Sequence, residues 1–480
     1  MKTYFVQLLA FFLAAPAAPQ NFSPAPEQYR ALASISGDSL RGNLSFIASD
    51  LLEGRDTPSP GLDIAAIYIA AQFRRAGLAP AGDDGYFQSA HMLRISEPAA
   101  SFDLRIQDDS RKPLDPRAQT TVISRRPLDL SAVPLYKVAD EAALRATDVQ
   151  GKVLLLNSGP GNGRATHPAA AALQPAAFVE LAGDDSPRDI PRLIDADEEH
   201  TAFGDIPRLI LRDPEAVALL RAAKPGQTGI AISIKLPTPT ATPVTVRNVA
   251  ALLLGSDPVL RSQYILLTAH YDHIGRNRAG EVDPGANDDG SGTVSVIEIA
   301  QALAAMPVHP KRSLVFMTFF GEEEGGLGSQ YYVRHPLFPL SKTVADLNLE
   351  QLGRTDANTG PEISNATLTG FGYSSLPHTL RQAGELTGVN VYEAPNGDDY
   401  FDRSDNQTFA EHGIPAHTLV VAFEFPGYHD TGDIWQKIDY GNMAKVDRMI
   451  ALGLLMLAGN PTPPAWNTAN PKVTRYLTAK

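Results

Sequence analysis

The chain has 480 residues, too many for one ordinary core, and its 43% hydrophobic and 20% charged content is that of a globular protein. A net charge of −13 without any lysine- or arginine-rich stripe argues against nucleic acid or an anionic membrane as the main partner. There is no cysteine, which excludes disulfides, thiol nucleophiles and thiolate metal sites, so any metal must be held by His, Asp and Glu.

The N-terminus, MKTYFVQLLAFFLAAPAAPQ, places one lysine before an apolar run from Tyr4 to about Ala15, followed by small residues. This is the layout of a secretory signal peptide over residues 1–18, with cleavage near Ala17 or Ala18, and it predicts an exported protein, periplasmic or extracellular. The run is too short for a good membrane span, and no later stretch approaches about 18 uninterrupted apolar residues, so no stable membrane association is expected of the mature chain.

From Ser36 to about Leu78 the pattern is helical; Gly61–Leu78 has an apolar face, two arginines near its end and a stop at Gly77. Gly82–Phe87 reads as a turn into a strand. Between about Glu97 and Pro243, short β-like runs alternate with Pro, Asp and Gly clusters. Gly151–Gly159 predicts a buried strand, Ala169–Leu181 a short helix feeding another, and Ile230–Leu236 a half-buried one, while Thr238–Thr245 reads as a linker.

From Val246 an α/β rhythm sets in. Asn248–Gly255 and Tyr264–His270 read as strands, and Ser291–Met306 as a helix capped by Ser291. Ser313–Gly321, Val344–Glu350 and Ala416–Phe425 are near-continuous apolar strands, as expected when both faces of a sheet are covered. The predicted fold class is α/β: a mixed, mostly parallel central sheet flanked by helices, built from 19–96 and 244–460. A β-rich insert at 97–243 interrupts it, and a peripheral tail, 461–480, follows.

Five motifs in the second half carry the chemistry: AHYDH (Ala269–His273), GANDDGSG (Gly285–Gly292), FGEEEGGLGS (Phe320–Ser329), NLEQLG (Asn348–Gly353) and GYHDTGD (Gly427–Asp433). Ligands in open α/β sheets gather at the carboxyl ends of strands. His270 ends one predicted strand, Glu322 and Glu323 follow another, and Glu350 ends a third; Asp288 precedes a helix and His429 follows the last strand. Two imidazoles among five ligands favour zinc, with cobalt or manganese as substitutes. One ion needs about three protein ligands and a water, so five candidates call for two ions sharing a carboxylate. Asp272 is spaced to orient the His270 ring. In the Glu322–Glu323 pair one carboxylate can bind metal while its neighbour accepts the proton of the attacking water, its pKa raised by burial and like charge.

These motifs resemble the co-catalytic di-zinc aminopeptidases, in the metallopeptidase group that also holds glutamate carboxypeptidase II and the transferrin-receptor ectodomain. The resemblance covers about Asn248 to Ala458. LEGRDTPSPG (Leu52–Gly61) is similar to the N-terminal part of secreted bacterial members, and the insert resembles a protease-associated domain. It implies that Asp288 bridges the ions, that His270 and Glu350 complete one zinc and Glu323 and His429 the other, and that Glu322 is the general base. Tyr428 resembles a tyrosine that polarises the substrate carbonyl. Two positions depart from the family pattern: Glu350 stands where many members have aspartate, and Asn406 where histidine is frequent, a difference that the resemblance implies would alter the substrate rim without touching the metals. The implied activity is hydrolysis of N-terminal residues from peptides with a free amine. The same scaffold also serves carboxypeptidases, glutaminyl cyclases and non-catalytic receptor modules.

The remaining polar residues read as structural. Asp289 is a helix-start residue or a support behind the ligands; His273, Asp283, Glu324 and His417 are loop, surface or packing residues; Asp430 and Asp433 are turn formers. Gly159–Arg164 lacks the spacing of a phosphate loop and reads as a turn, and no GxSxG elbow occurs.

Overall fold

The structure is a computed structural model that describes residues 24–96, 102–108, 112–124, 126–139, 144–156, 170–171, 173–181, 192–196, 206–277 and 279–477. The signal-peptide run and the Gly159–Arg164 turn lie outside the described residues. Among the described residues no helix is long and apolar enough to cross a membrane.

Among the described residues ten strands form one large sheet. In chain order its main strands are β1 (Phe87–Ser96), β2 (Arg192–Asp195), β3 (Thr240–Leu253), β4 (Tyr264–His270), β5 (Ser313–Phe319), β6 (Thr343–Leu349), β7 (Asn365–Leu368), β8 (Asn390–Tyr392) and β9 (Ala416–Val420). They lie in the order β8-β7-β9-β6-β4-β5-β3-β1-β2, with Ala79–Pro80 added on β3. The central run β9-β6-β4-β5 is parallel, whereas β3, β1 and β2 pair antiparallel beyond β5. The sheet is thus mixed, with its parallel part at the centre.

Helices cover one face: α1 (Gly37–Ile47), α2 (Pro60–Arg75), α3 (Gly292–Ala304), α4 (Leu376–Thr387) and α5 (Tyr440–Gly459). Alternate residues of β4 divide between the two faces, as the period of a strand requires: Ile265, Leu267 and Ala269 join the helical core, and Leu266 joins the opposite one. α2 starts one residue before the expected Gly61 and ends at Arg75, ahead of the expected stop at Gly77; Ser59 accepts from the Leu62 N–H at 3.1 Å, and Arg74 and Arg75 stand in its last turn.

Residues 103–236 supply a separate seven-stranded sheet, with its own core around Leu104, Val153, Leu155, Val179, Leu209 and Ile232. Three expectations are corrected. β2, inside the expected insert, pairs instead with β1 at the edge of the large sheet, where Leu193 is buried and Asp195 lies 3.3 Å from Arg334. The expected linker is strand from Thr240, because its threonines and valines pair with β1 over ten residues; Pro243 is tolerated since β5 pairs with β3 only from Val249 onward, leaving that edge open. The tail is not peripheral: Trp466 donates to the Gly413 carbonyl at 3.0 Å and stacks on Tyr476, which is buried with Val473 against the second face.

Candidate metal centre

Because β9, β6, β4 and β5 are parallel neighbours, their carboxyl ends share one edge. His270 is the last residue of β4, Glu322 and Glu323 lie in the turn after β5, Glu350 directly follows β6, and His429 sits in the loop after β9. The loop before α3 brings in Asp288, whose peptide bond to Asp289 is cis. Asp288 lies between two imidazoles: Oδ1 is 3.3 Å from His270 Nε2 and Oδ2 is 3.0 Å from His429 Nε2. His429 Nε2 is also 3.4 Å from Glu323 Oε1. Four of the five predicted ligands therefore form one chain of contacts. Glu350 accepts a hydrogen bond from the Ser404 hydroxyl and lies near enough for its charge to act on Asp289 and Tyr428.

The supports are as specific as the ligands. His270 Nδ1 faces the Asp272 carbonyl at 3.2 Å, which places an N–H there and turns Nε2 towards Asp288. The Asp272 carboxylate, 3.5 Å from the same nitrogen, accepts from the Glu322 and Glu323 N–H groups at 3.1 and 3.4 Å. One residue thus orients the imidazole and fixes the turn of the glutamate pair. Asp289 accepts from the Gly292 N–H at 2.9 Å and from the Gln351 N–H at 3.2 Å, so it starts α3 and ties that loop to the end of β6. Ser291, the predicted cap, instead donates to the Asn287 carbonyl at 2.7 Å and accepts from the Leu352 N–H at 2.9 Å. Both are consequences of the loop folding back on itself before the helix begins.

Behind Glu350 runs a buried polar ladder: the Asn348 amide donates to Ser404 at 2.7 Å and to Thr418 at 3.1 Å, and Thr418 donates to Asn406 at 2.8 Å. Asn406 is therefore not on the substrate rim; its own amide bonds the Phe401 carbonyl, and the side chain is fully enclosed. Tyr428 is 43% exposed, stacks on the His429 ring with centroids 4.1 Å apart, and lines a pocket with Glu350, Tyr400, Arg403 and Phe423.

Electrostatics tie these groups together. Burial opposes a charge on His270, but the carboxylates of Asp272 and Asp288 outweigh it and hold the imidazole well above its ordinary range. His429 is likewise raised to about 11, against burial, by Glu323 and Asp288. Burial and the charge of Glu323 oppose ionisation of Asp288, yet the two histidines hold it below the usual carboxylate range. Burial pushes Glu350 up to about 7. Protons on the imidazoles thus offset the carboxylates, and cations are the other species that can do so.

His273, read from sequence among the loop, surface or packing residues, joins this cluster. Its Nδ1 lies 2.8 Å from Glu323 Oε1 but off the line of a hydrogen bond, and neither ring nitrogen nor that oxygen makes one, although all three are buried. With Asp288 and Glu323 it presents ligand atoms within 4.8 Å of one another. Gly285 makes room for this ring: its φ is +57°, and a Cβ there would lie 2.4 Å from the imidazole. Buried polar atoms that converge without bonding one another fit a cation between them. Asp433 was read as a turn former, yet it is fully buried and accepts from the backbone of the Asp288 loop. Asp430 keeps its turn role, accepting from the Asp433 N–H with its carbonyl. Arg55, for which the sequence offered no role, lies enclosed beneath the centre.

Comparison with known proteins bears on this sheet and on the cluster at its carboxyl edge. Residues 248–453 match the model of peptidase family M28, so the resemblance drawn from the motifs holds over that segment. Aminopeptidase YwaD of Bacillus subtilis is 31% identical over 157 residues, 32% of this chain and 31% of that protein. A probable leucine aminopeptidase 2 of Aspergillus oryzae is 33% identical over 184 residues, 38% of this chain and 34% of that protein. The matches thus span about a third of the length of these curated relatives. Among solved structures, an aminopeptidase from Aneurinibacillus sp. strain AM-1 superposes with a TM-score of 0.59 at 21% identity, covering 91% of this chain and 97% of that one, and so shares the fold.

Proposed function

We propose that this protein is an exported zinc-dependent aminopeptidase that removes N-terminal residues from peptides, working with two ions. His270 and Glu350 would hold one ion and Glu323 and His429 the other, with Asp288 shared and His273 a further nitrogen beside the second. The observation that carries the reading is Asp288, which offers one oxygen to each of two histidines from different loops. When bound, the ions supply Lewis acidity to a water nucleophile and to the scissile carbonyl.

The chain's own residues do the rest. Glu322, held by its backbone against Asp272, accepts the proton of the attacking water and returns it to the leaving amine. The Tyr428 hydroxyl stays protonated beside the carboxylates of Asp288, Glu323 and Glu350 and donates to the developing oxyanion. The acidic rim attracts the free α-amine of the peptide, and the pocket lined by Tyr400, Phe423 and Tyr428 receives the terminal side chain.

Metal analysis of purified protein, followed by a screen of aminoacyl chromogenic substrates beside N-blocked peptides, tests this. Two ions per chain and hydrolysis confined to free amines are expected. A single ion, or equal cleavage of blocked peptides, sinks the reading.

A further inference from the structure

The turn Asp50–Arg55 lies outside the segment matched by the family model and ends in three successive residues with positive φ: Glu53 at 52°, Gly54 at 74° and Arg55 at 52°. Such backbone is costly for side chains other than glycine and persists only where surrounding contacts impose it. Gly54 is required by space as well, since a Cβ there would lie 2.4 Å from the Gly275 carbonyl oxygen. The turn runs along the loop after β4: the His273 N–H donates to the Arg55 carbonyl at 3.3 Å and the Gly275 N–H to that of Gly54 at 3.2 Å.

This close approach delivers the Arg55 side chain into the interior. Its guanidinium is fully buried and makes four hydrogen bonds, all to backbone carbonyls: Nε to Tyr271 at 2.7 Å, Nη1 to Ile47 and Pro284 at 2.7 Å each, and Nη2 to Gly285 at 2.8 Å. Tyr271 stands between His270 and Asp272, and Gly285 opens the loop that carries Asp288. One planar fork therefore spans the end of α1, the strand end bearing His270 and the loop bearing Asp288. Burial lowers the pKa of the guanidinium to about 10, and the charges of Asp272, Asp433, Asp289 and Asp288 oppose that fall.

We propose that Arg55 is the positioning residue of the metal centre, fixing the separation between the His270 strand end and the Asp288 loop before any ion binds. The inference rests on the two-ion reading above. Arginine is needed because its donors lie in a rigid fork, whereas lysine offers one point of attachment. Charge and geometry predict opposite signs. A cation beneath the site repels metal, so loss of charge alone would tighten binding; loss of the fork would weaken it.

The test is zinc competition against a chelator, below the thermal transition, with R55K (charge kept, fork lost), R55M (both lost) and R312K as control. Arg312 is also buried and donates to the carbonyls of Leu457, Asn460 and Pro461, none of them in the centre. Both Arg55 variants are expected to bind zinc about 10- to 100-fold more weakly, as losses behind metal ligands do, with kcat falling more than KM rises, while R312K lowers the melting temperature alone. Wild-type zinc affinity in R55K, or tighter binding in R55M, overturns the proposal.

Hydrogen exchange on the metal-free wild-type protein decides the matter even if the variants do not fold. Amides of 271–275 and 285–289 are expected to be protected before zinc is added; protection only afterwards would mean that the metal, not Arg55, organises the loops. Wild-type protein that binds no zinc would instead remove the two-ion reading itself.

Discussion

Asp433 reaches back from the loop that carries His429 and holds the backbone of Asp288: its carboxylate accepts from the Asn287 N–H at 2.9 Å and from the Asp288 N–H at 3.0 Å. The Asp433 carbonyl also accepts from the Ala286 N–H at 3.1 Å. Two of the predicted ligands, Asp288 and His429, far apart in sequence, are thereby set in one frame. Asp433→Ala would leave two buried N–H groups without an acceptor, each costing about 1–3 kcal/mol. Stability measured by urea titration should fall by on the order of 2 kcal/mol or more, and zinc binding should weaken with it. An unchanged midpoint together with unchanged zinc affinity would show that the frame is not needed.

Glu322 is assigned the proton transfer and no metal. Glu322→Gln keeps the shape of the side chain and its backbone bond to Asp272. Two ions should remain bound while kcat falls by about 10²–10⁴-fold, the usual worth of a positioned base. Loss of an ion would move Glu322 into the ligand set, and an unaltered rate would end its role as base.

Glu350 stands where the resembled family often has aspartate, and the Ser404 hydroxyl takes up its longer reach. Ser404 is in turn held by Asn348, so the carboxylate is anchored to the polar ladder inside the sheet. Ser404→Ala should weaken one ion selectively, by about 10- to 100-fold, because the lost donor stands behind one ligand only. Calorimetric zinc titration would then resolve two steps. Two ions bound as tightly as in the unaltered protein would refute the anchoring.

The division between what could and could not be read from sequence follows from this geometry. His270, Asp288, Glu323, Glu350 and His429 could be singled out because each lies at a strand end or beside glycines, a local signal, and the parallel run β9-β6-β4-β5 brings those strand ends to one edge. Arg55, His273 and Asp433 were not, because their roles arise only when segments far apart in sequence meet. Arg55 bonds carbonyls, which carry no sequence signature. Asp433 in isolation looks like any turn aspartate. The strand at Thr240 and the packing of Trp466 were missed for the same reason: prolines mark a linker only until a long β partner or a buried face outweighs them.

His417 offers a test of the core that does not depend on metal. Its Nδ1–H donates to the Thr369 carbonyl at 2.8 Å, so Nε2 accepts from the Ser374 hydroxyl at 2.6 Å, and the ring packs against Phe401 and Trp466. Burial pushes its pKa down from 6.5 to about 4, with the Thr369 bond opposing. The neutral ring is the folded form, so its stabilising effect is complete above the unfolded value of 6.5. As the pH falls, the unfolded chain takes up the proton first, and stability is lost until the folded pKa near 4 is passed. The span corresponds to roughly 3 kcal/mol. Urea titrations of metal-free protein at pH 7.5 and 4.5 should show this loss in the wild type and a loss smaller by about that amount in His417→Gln, which has no proton to gain; the difference between the two chains isolates the histidine from the other titrating groups. Equal losses in both would mean that the folded ring takes up its proton as readily as the unfolded one, so that burial does not keep His417 neutral.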